Sequence, residues 1–165
     1  ILYAGDGSVT SSDGVFKSTD AGLTWTQVIT GLTTTRVDTI AINPVTTSTL
    51  YIGSEQGYIH KSINGGTSWT GAPPGGVPFS VNGLVIDPVN PDIIYATSTG
   101  QGVYKSTDGG ANWTAINTGL TNLYIYSLVI NPISSNILYC GYRFGGSSGD
   151  VFKSTDGGMN WVKLP

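Results

Sequence analysis

The 165-residue sequence predicts an all-β chain of tandem four-stranded antiparallel units, on three observations. A nonapeptide of the form Lys-Ser-x-Asp/Asn-x-Gly-x-x-Trp recurs four times, as KSTDAGLTW (17–25), KSINGGTSW (61–69), KSTDGGANW (105–113) and KSTDGGMNW (153–161). Its lysines lie 44, 44 and 48 residues apart, and a fixed period of that length marks a tandem repeat. Between the copies run short segments rich in Val, Ile, Tyr and Phe, separated by Gly, Asn, Asp and Pro, which is strand and turn chemistry without a helical period.

Each unit contains four such segments. Strand A is VDTIAINP from Val37, VNGLVIDP from Val81 and IYSLVINP from Ile125, each closed by an Asn/Asp-Pro turn. Strand B is ILYAG at the start of the chain, then TLYIG, IIYAT and ILYCG, and strand C is GVFKS, GYIHK, GVYKS and DVFKS. The tryptophan is expected to open strand D, as in WTQVI and WTAIN. Four strands in about 44 residues cannot bury both faces alone, so stacked units of this kind predict the blades of a β-propeller. The repeats run approximately 1–36, 37–80, 81–124 and 125–165 as one propeller region, with the inner strand missing from the first blade and a larger propeller or assembly expected around it.

The nonapeptide joins strand C to strand D and has the chemistry of a hairpin staple. A short acid or amide accepts backbone N–H groups further along the turn, glycine permits a positive φ, serine caps the loop, and tryptophan adds apolar surface. The staple residues are Ser18, Asp20, Gly22 and Trp25; Ser62, Asn64, Gly66 and Trp69; Ser106, Asp108, Gly110 and Trp113; and Ser154, Asp156, Gly158 and Trp161. Asn64 replaces the acid in the second unit, so the turn needs an acceptor and not a charge. One active site does not require the same acid in several blades, and these carboxylates are read as structural, with no catalytic role. Asp87 joins them, because Asn43 and Asn131 hold its place before proline.

The motif Ser-x-Asp-x-Gly-x-x-Trp resembles the Asp-box, or bacterial neuraminidase repeat, propellers, and three units match it in full. Proteins with this box include sialidases, xyloglucan-active glycoside hydrolases, sortilin-type receptors and the photosystem II assembly factor, so the resemblance implies a fold and leaves function open. A sialidase site in that family implies an arginine triad and a tyrosine–glutamate pair, whereas this chain has two arginines and one glutamate.

Composition narrows the classes further. Charged residues make up 10% and the net charge is −3, with no basic cluster for nucleic acid to engage. No apolar run reaches the ~20 residues of a membrane span. A single cysteine, Cys140, excludes an internal disulfide or a thiolate cluster, and no metal or other cofactor is expected. The low charge fits an extracellular or periplasmic protein.

In a meander the A–B and C–D connections fall on one face and the B–C and D–A connections on the other. The first face carries near-identical turns, and the second carries everything that varies, which is where specific binding is built on a constant frame. Candidate ligand or partner contacts there are Tyr142, Arg143, Phe144, Arg36, Tyr124 and Glu55. His60 occupies an aromatic packing position held by Phe16, Tyr104 and Phe152 in the other units. For glycoside hydrolysis two flanking carboxylates are needed, and Asp6, Asp13, Glu55 and Asp150 are the acids that could meet over the pore, while Asp38 has no evident counterpart. The reading is therefore a non-catalytic secreted binding or assembly module for a protein or glycan. The alternatives are a homopolymer subunit that self-associates through its incomplete first blade and a fragment of a xyloglucanase-type hydrolase.

Overall fold

The computed structural model describes residues 1–7, 13–71, 80–142 and 149–165, and it contains fifteen strands in four antiparallel meanders. Blade 1 is three-stranded, from β1 (Leu2–Gly5), β2 (Val15–Ser18) and β3 (Thr26–Gln27). Blade 2 orders β4 (Thr39–Ile42), β5 (Leu50–Gly53), β6 (Ile59–Ser62) and β7 (Thr70–Gly71). Blade 3 orders β8 (Val81–Ile86), β9 (Ile94–Ser98), β10 (Gly102–Ser106) and β11 (Thr114–Ala115). Blade 4 orders β12 (Ile125–Ile130), β13 (Leu138–Tyr142), β14 (Val151–Ser154) and β15 (Val162–Lys163). The inner strands β4, β8 and β12 lie side by side in sequence order.

The outer strands are shorter than expected, and each tryptophan precedes its strand instead of opening it. At two blades the tryptophan amide joins blades: Trp69 N–H donates to the Thr30 carbonyl (2.9 Å) and Trp161 N–H to the Thr118 carbonyl (2.8 Å), both on the preceding blade. Likewise Val37 N–H donates to the Asp6 carbonyl of blade 1, and β4 begins only at Thr39.

Hydrophobic cores lie between blades. Leu50, Ile52 and Trp69 of blade 2 pack with Val15 and Val28 of blade 1; Tyr51 and Ile59 pack with Leu84 and Ile94 of blade 3; Tyr95 and Val103 pack with Leu138 and Trp161 of blade 4. Leu50, Ile94 and Leu138 hold the same repeat position and all are fully buried. Each such side chain is worth roughly 1.5–3 kcal/mol relative to exposure.

A polar clamp accompanies each core. The tyrosine of strand B and the lysine of strand C both donate to a single box carbonyl of the following blade. Tyr3 Oη and Lys17 Nζ reach the Gly65 carbonyl at 2.9 and 2.8 Å, Tyr51 and Lys61 reach Gly109 at 3.0 and 3.4 Å, and Tyr95 and Lys105 reach Gly157 at 3.2 and 3.0 Å. In each pair the ammonium also stands over the tyrosine ring, 5.2–5.7 Å from its centre, within cation–π range.

The boxes are staples as expected. Ser106 Oγ donates to Asp108 Oδ1 at 2.8 Å and accepts the buried Gly110 N–H at 2.9 Å, while Asp108 Oδ1 accepts the Asn112 N–H at 2.9 Å. The same pattern holds in the boxes of Asp20 and Asp156, and Asn64 reproduces it with Oδ1 accepting Ser62 Oγ–H and Ser68 N–H. Hydrogen bonds from Thr24, Asn112 and Asn160 hold the Asp20, Asp108 and Asp156 carboxyls down at about 2. These acids are ionised acceptors over the whole neutral range. Asn112 spends its side-chain amide on Asp108 Oδ2 at 2.7 Å.

Candidate functional site

The variable-loop face opens into a cavity of about 430 Å³ lined by Arg36, Asp38, Glu55, Ser80, Asn82, Thr99 and Tyr126. Three of these, Asp38, Asn82 and Tyr126, are the same position in three consecutive repeats, the second residue of segment A. Their predecessors Val37, Val81 and Ile125 are buried at 3%, 0% and 0% exposure, so the neighbouring position anchors each strand. In blades 3 and 4 the register against the second strand shifts between Val81 and Gly83 and between Ile125 and Ser127, which leaves Asn82 and Tyr126 as bulge residues. A bulge takes one side chain out of the alternation and re-aims it, here toward the cavity. Asp38 is placed by its own N–H, which donates to the Gly53 carbonyl at 2.9 Å.

The cavity wall is polar and internally bonded. Arg36 Nη1 is paired with Glu55 Oε2, and Arg36 Nε lies 3.4 Å from Asp38 Oδ1, so one guanidinium serves two carboxylates. Glu55 is held in a tight turn in which Gly57 N–H donates to the Ser54 carbonyl at 3.1 Å. Burial pushes the Asp38 carboxyl up from its ordinary value; Arg36 opposes that and Glu55 adds to it. Opposite, Ser80 Oγ donates to Asn82 Oδ1 at 2.9 Å, and Asn82 Nδ2 donates to Thr99 Oγ1 at 2.7 Å. Tyr126, which is 51% exposed, lines the opening. With both acids ionised, the wall carries an excess of one negative charge.

Of the residues expected on this face, the cavity brings together Arg36 and Glu55. Tyr124 is adjacent, bridged to Thr99 and standing over Gly100. Tyr142 lies in β13 opposite Ile125 and packs half-buried on the blade 4 core, away from the cavity. Arg143 and Phe144 lie outside the described residues. The four acids considered for hydrolysis fall into three separate contacts: Asp6 Oδ2 accepts the Asp13 N–H at 3.4 Å, Glu55 pairs with Arg36, and Asp150 pairs with Lys163 at 2.8 Å. Of the four, only Glu55 lines this cavity, and its counterpart is Asp38, which the sequence alone left without one. The missed signal is the repeat position itself, where Asp, Asn and Tyr alternate on an otherwise constant strand.

His60 is fully buried and packs beside Tyr58, with ring centres 6.1 Å apart, as its position among aromatic residues suggests. Its Nε2 accepts the Thr33 N–H at 3.2 Å and also meets Thr33 Oγ1 at 2.8 Å, so it ties the loop that carries Arg36 to blade 2. Burial lowers its pKa from 6.5. Cys140 is buried and its thiol is pushed up to about 12, which makes it an inert packing residue. Among the described residues no group of His, Cys, Asp and Glu is arranged to hold a metal ion, and no helix is long and apolar enough to cross a membrane.

The family model of Sortilin-Vps10, described as sortilin, neurotensin receptor 3, matches residues 13–140. The chain belongs to the Sortilin-Vps10 family. The fold of this Sortilin-Vps10 chain is also similar to several solved propellers. An ancestral GH74 enzyme superposes with a TM-score of 0.76 at 27% identity, over 93% of this chain and 21% of the other. The GH74 xyloglucanase of Xanthomonas campestris gives 0.77 at 18% identity, over 98% and 28%. YCF48 bound to a D1 peptide gives 0.61 at 16% identity, over 90% and 46%. The chain thus spans between a fifth and a half of the length of these relatives. The comparison with curated proteins finds no match.

Proposed function

We propose that this Sortilin-Vps10 chain is a non-catalytic, secreted binding or assembly module whose variable-loop face takes an extended protein segment in the Arg36–Tyr126 cavity. The observation that carries the reading is the convergence of Asp38, Asn82 and Tyr126, one position from each of three blades, on a single polar cavity. The excess carboxylate and the exposed Tyr126 ring favour a segment bearing lysine or arginine, which gains both an ion pair and a cation–π contact. The solved YCF48 complex with a D1 peptide supports peptide capture by a propeller of this shape. The extracellular or periplasmic location rests on the low charge content alone.

The test is an array of extended basic, neutral and acidic peptides alongside a panel of plant and bacterial glycans. Basic peptides are expected to bind, and Glu55→Gln or Tyr126→Ala to weaken them about tenfold or more, the cost of one lost charged or aromatic contact. Binding of acidic peptides, or equal binding by both variants, overturns the reading.

A second reading, glycan hydrolysis, draws on Asp38 and Glu55 facing one cavity with the Asp38 carboxyl raised by burial, and on the likeness to GH74 enzymes. Release of reducing ends from xyloglucan that disappears in Asp38→Asn would establish it, and no release at all would remove it. A structural role in a homopolymer draws on β1, whose inner edge carries no strand among the described residues.

A further inference from the structure

We infer that Asn64 and Gly65 form a modification site: while the junction of blades 1 and 2 is closed the pair is inert, and when it opens Asn64 converts to aspartate or isoaspartate, with water as the only co-reactant. The chemistry is that of asparagine followed by glycine. The glycine backbone nitrogen loses its proton and attacks the asparagine side-chain carbonyl carbon, a C–N bond forms, and the carboxamide nitrogen leaves as ammonia. Water then opens the five-membered imide at either carbonyl. Cleavage of the new C–N bond gives aspartate, and cleavage of the original peptide bond gives isoaspartate. Glycine favours the ring closure because no Cβ shields its nitrogen. The sequence holds this dipeptide twice, at Asn64–Gly65 and Asn82–Gly83.

In the closed junction both reacting groups are engaged. The Gly65 N–H donates to the Ser48 carbonyl at 2.8 Å, which holds the proton that has to leave. Three bonds fix the Asn64 carboxamide: Oδ1 accepts Ser62 Oγ–H and the Ser68 N–H, both at 2.9 Å, and Nδ2 donates to Ser68 Oγ at 2.8 Å. Blade 1 pins the glycine from the other side, since its carbonyl accepts Tyr3 Oη and Lys17 Nζ. Asn64 is nevertheless exposed and Gly65 only half-buried, so water reaches the pair, and the closed junction withholds only its freedom to turn. The matching pairs Asp108–Gly109 and Asp156–Gly157 are ionised, with carboxyls at about 2, and a carboxylate is a poor target for the same attack. Blade 2 is therefore where this box chemistry is reactive.

The two products act differently on the junction. Aspartate is what the other three boxes carry at this position, and its Oδ1 keeps the bonds from Ser62 and Ser68. Isoaspartate adds a methylene to the main chain immediately before Gly65. The amide that meets Ser48 and the carbonyl that meets Tyr3 and Lys17 then no longer fit their partners together. An opening that lasts long enough to react by this route is recorded in the covalent chain and does not close as before.

The full chain is incubated in mildly alkaline buffer, folded and in urea, beside the free peptide KSINGGTSW. Peptide mapping by mass spectrometry follows the gain of one mass unit at Asn64 and at Asn82. The folded chain is expected to convert Asn64 about hundredfold more slowly than the peptide, and the urea-unfolded chain at the rate of the peptide. Tyr3→Phe/Lys17→Met removes both clamp donors from Gly65, and should raise the Asn64 rate about tenfold while leaving unchanged that of Asn82, which is held in β8 by Ser80 and Thr99. The isoaspartate form, separated by chromatography, should melt below Asn64→Asp. A folded chain that reacts within about threefold of the peptide overturns the inference. So does a double variant that accelerates neither site or both alike, or an isoaspartate form that melts with Asn64→Asp.

Discussion

Ser106→Ala tests whether the box stabilises the fold through its serine. Ser106 is 1% exposed, and its hydroxyl both donates to Asp108 and accepts the buried Gly110 N–H. Removing the oxygen creates almost no cavity, so the effect is polar. Asp108 is at the surface and regains water, but the Gly110 N–H is left buried without an acceptor, which costs about 1–3 kcal/mol. With an unfolding entropy near 2.1 cal/mol/K per residue, 165 residues give about 0.35 kcal/mol/K, so a loss of about 2 kcal/mol lowers the melting temperature by roughly 6 °C. Thr107, the next residue, is exposed, and Thr107→Ala should remain within about 0.5 kcal/mol of wild type. Thermal melts followed by circular dichroism compare the three proteins. If Ser106→Ala melts within a degree of Thr107→Ala, the hydroxyl is not the anchor of the turn and the staple argument fails.

Two further outcomes are expected. His60 has a folded pKa below its ordinary 6.5 because it is buried, so the unfolded chain binds the extra proton first. Its contribution is intact above pH 6.5 and is lost as pH falls through the folded value; urea midpoints at pH 7.5 and 5.5 should therefore diverge in wild type and differ less in His60→Phe. The box acids titrate near 2 and do not interfere in that window. Ala21→Gly relieves an αL alanine at about 1–2 kcal/mol while loosening the unfolded chain by about 0.5–1, and a net gain of about 0.5 kcal/mol should appear as a small rise in the urea midpoint.

The sequence exposed the blades because four copies in phase act as their own comparison: a strand that reads ambiguously once, such as GYIHK, is fixed by GVFKS and GVYKS around it. The box chemistry was legible for the same reason, since Asn64 in place of aspartate separates acceptor from charge within the sequence itself. The bonds of the Trp69 and Trp161 amides to the preceding blade were not legible, because no local pattern records which backbone oxygen lies there. The Asp38–Arg36–Glu55 group was half visible. Arg36 and Glu55 stood out as odd residues in variable loops, but their meeting depends on two different connections of the meander converging at one mouth. The Tyr–Lys pair stood in plain sight in every LY and KS segment without a partner, since its target is a main-chain oxygen on a neighbouring blade.

That choice of target has an evolutionary consequence. A clamp that grips a peptide carbonyl requires no matching side chain on the receiving unit, only a turn of the same shape. A unit can then be copied, deleted or moved along the gene without a compensating change next door, and its outward loops can diverge while the junction stays compatible. Variation at positions 38, 82 and 126 beside unchanging junctions is the pattern such freedom leaves behind.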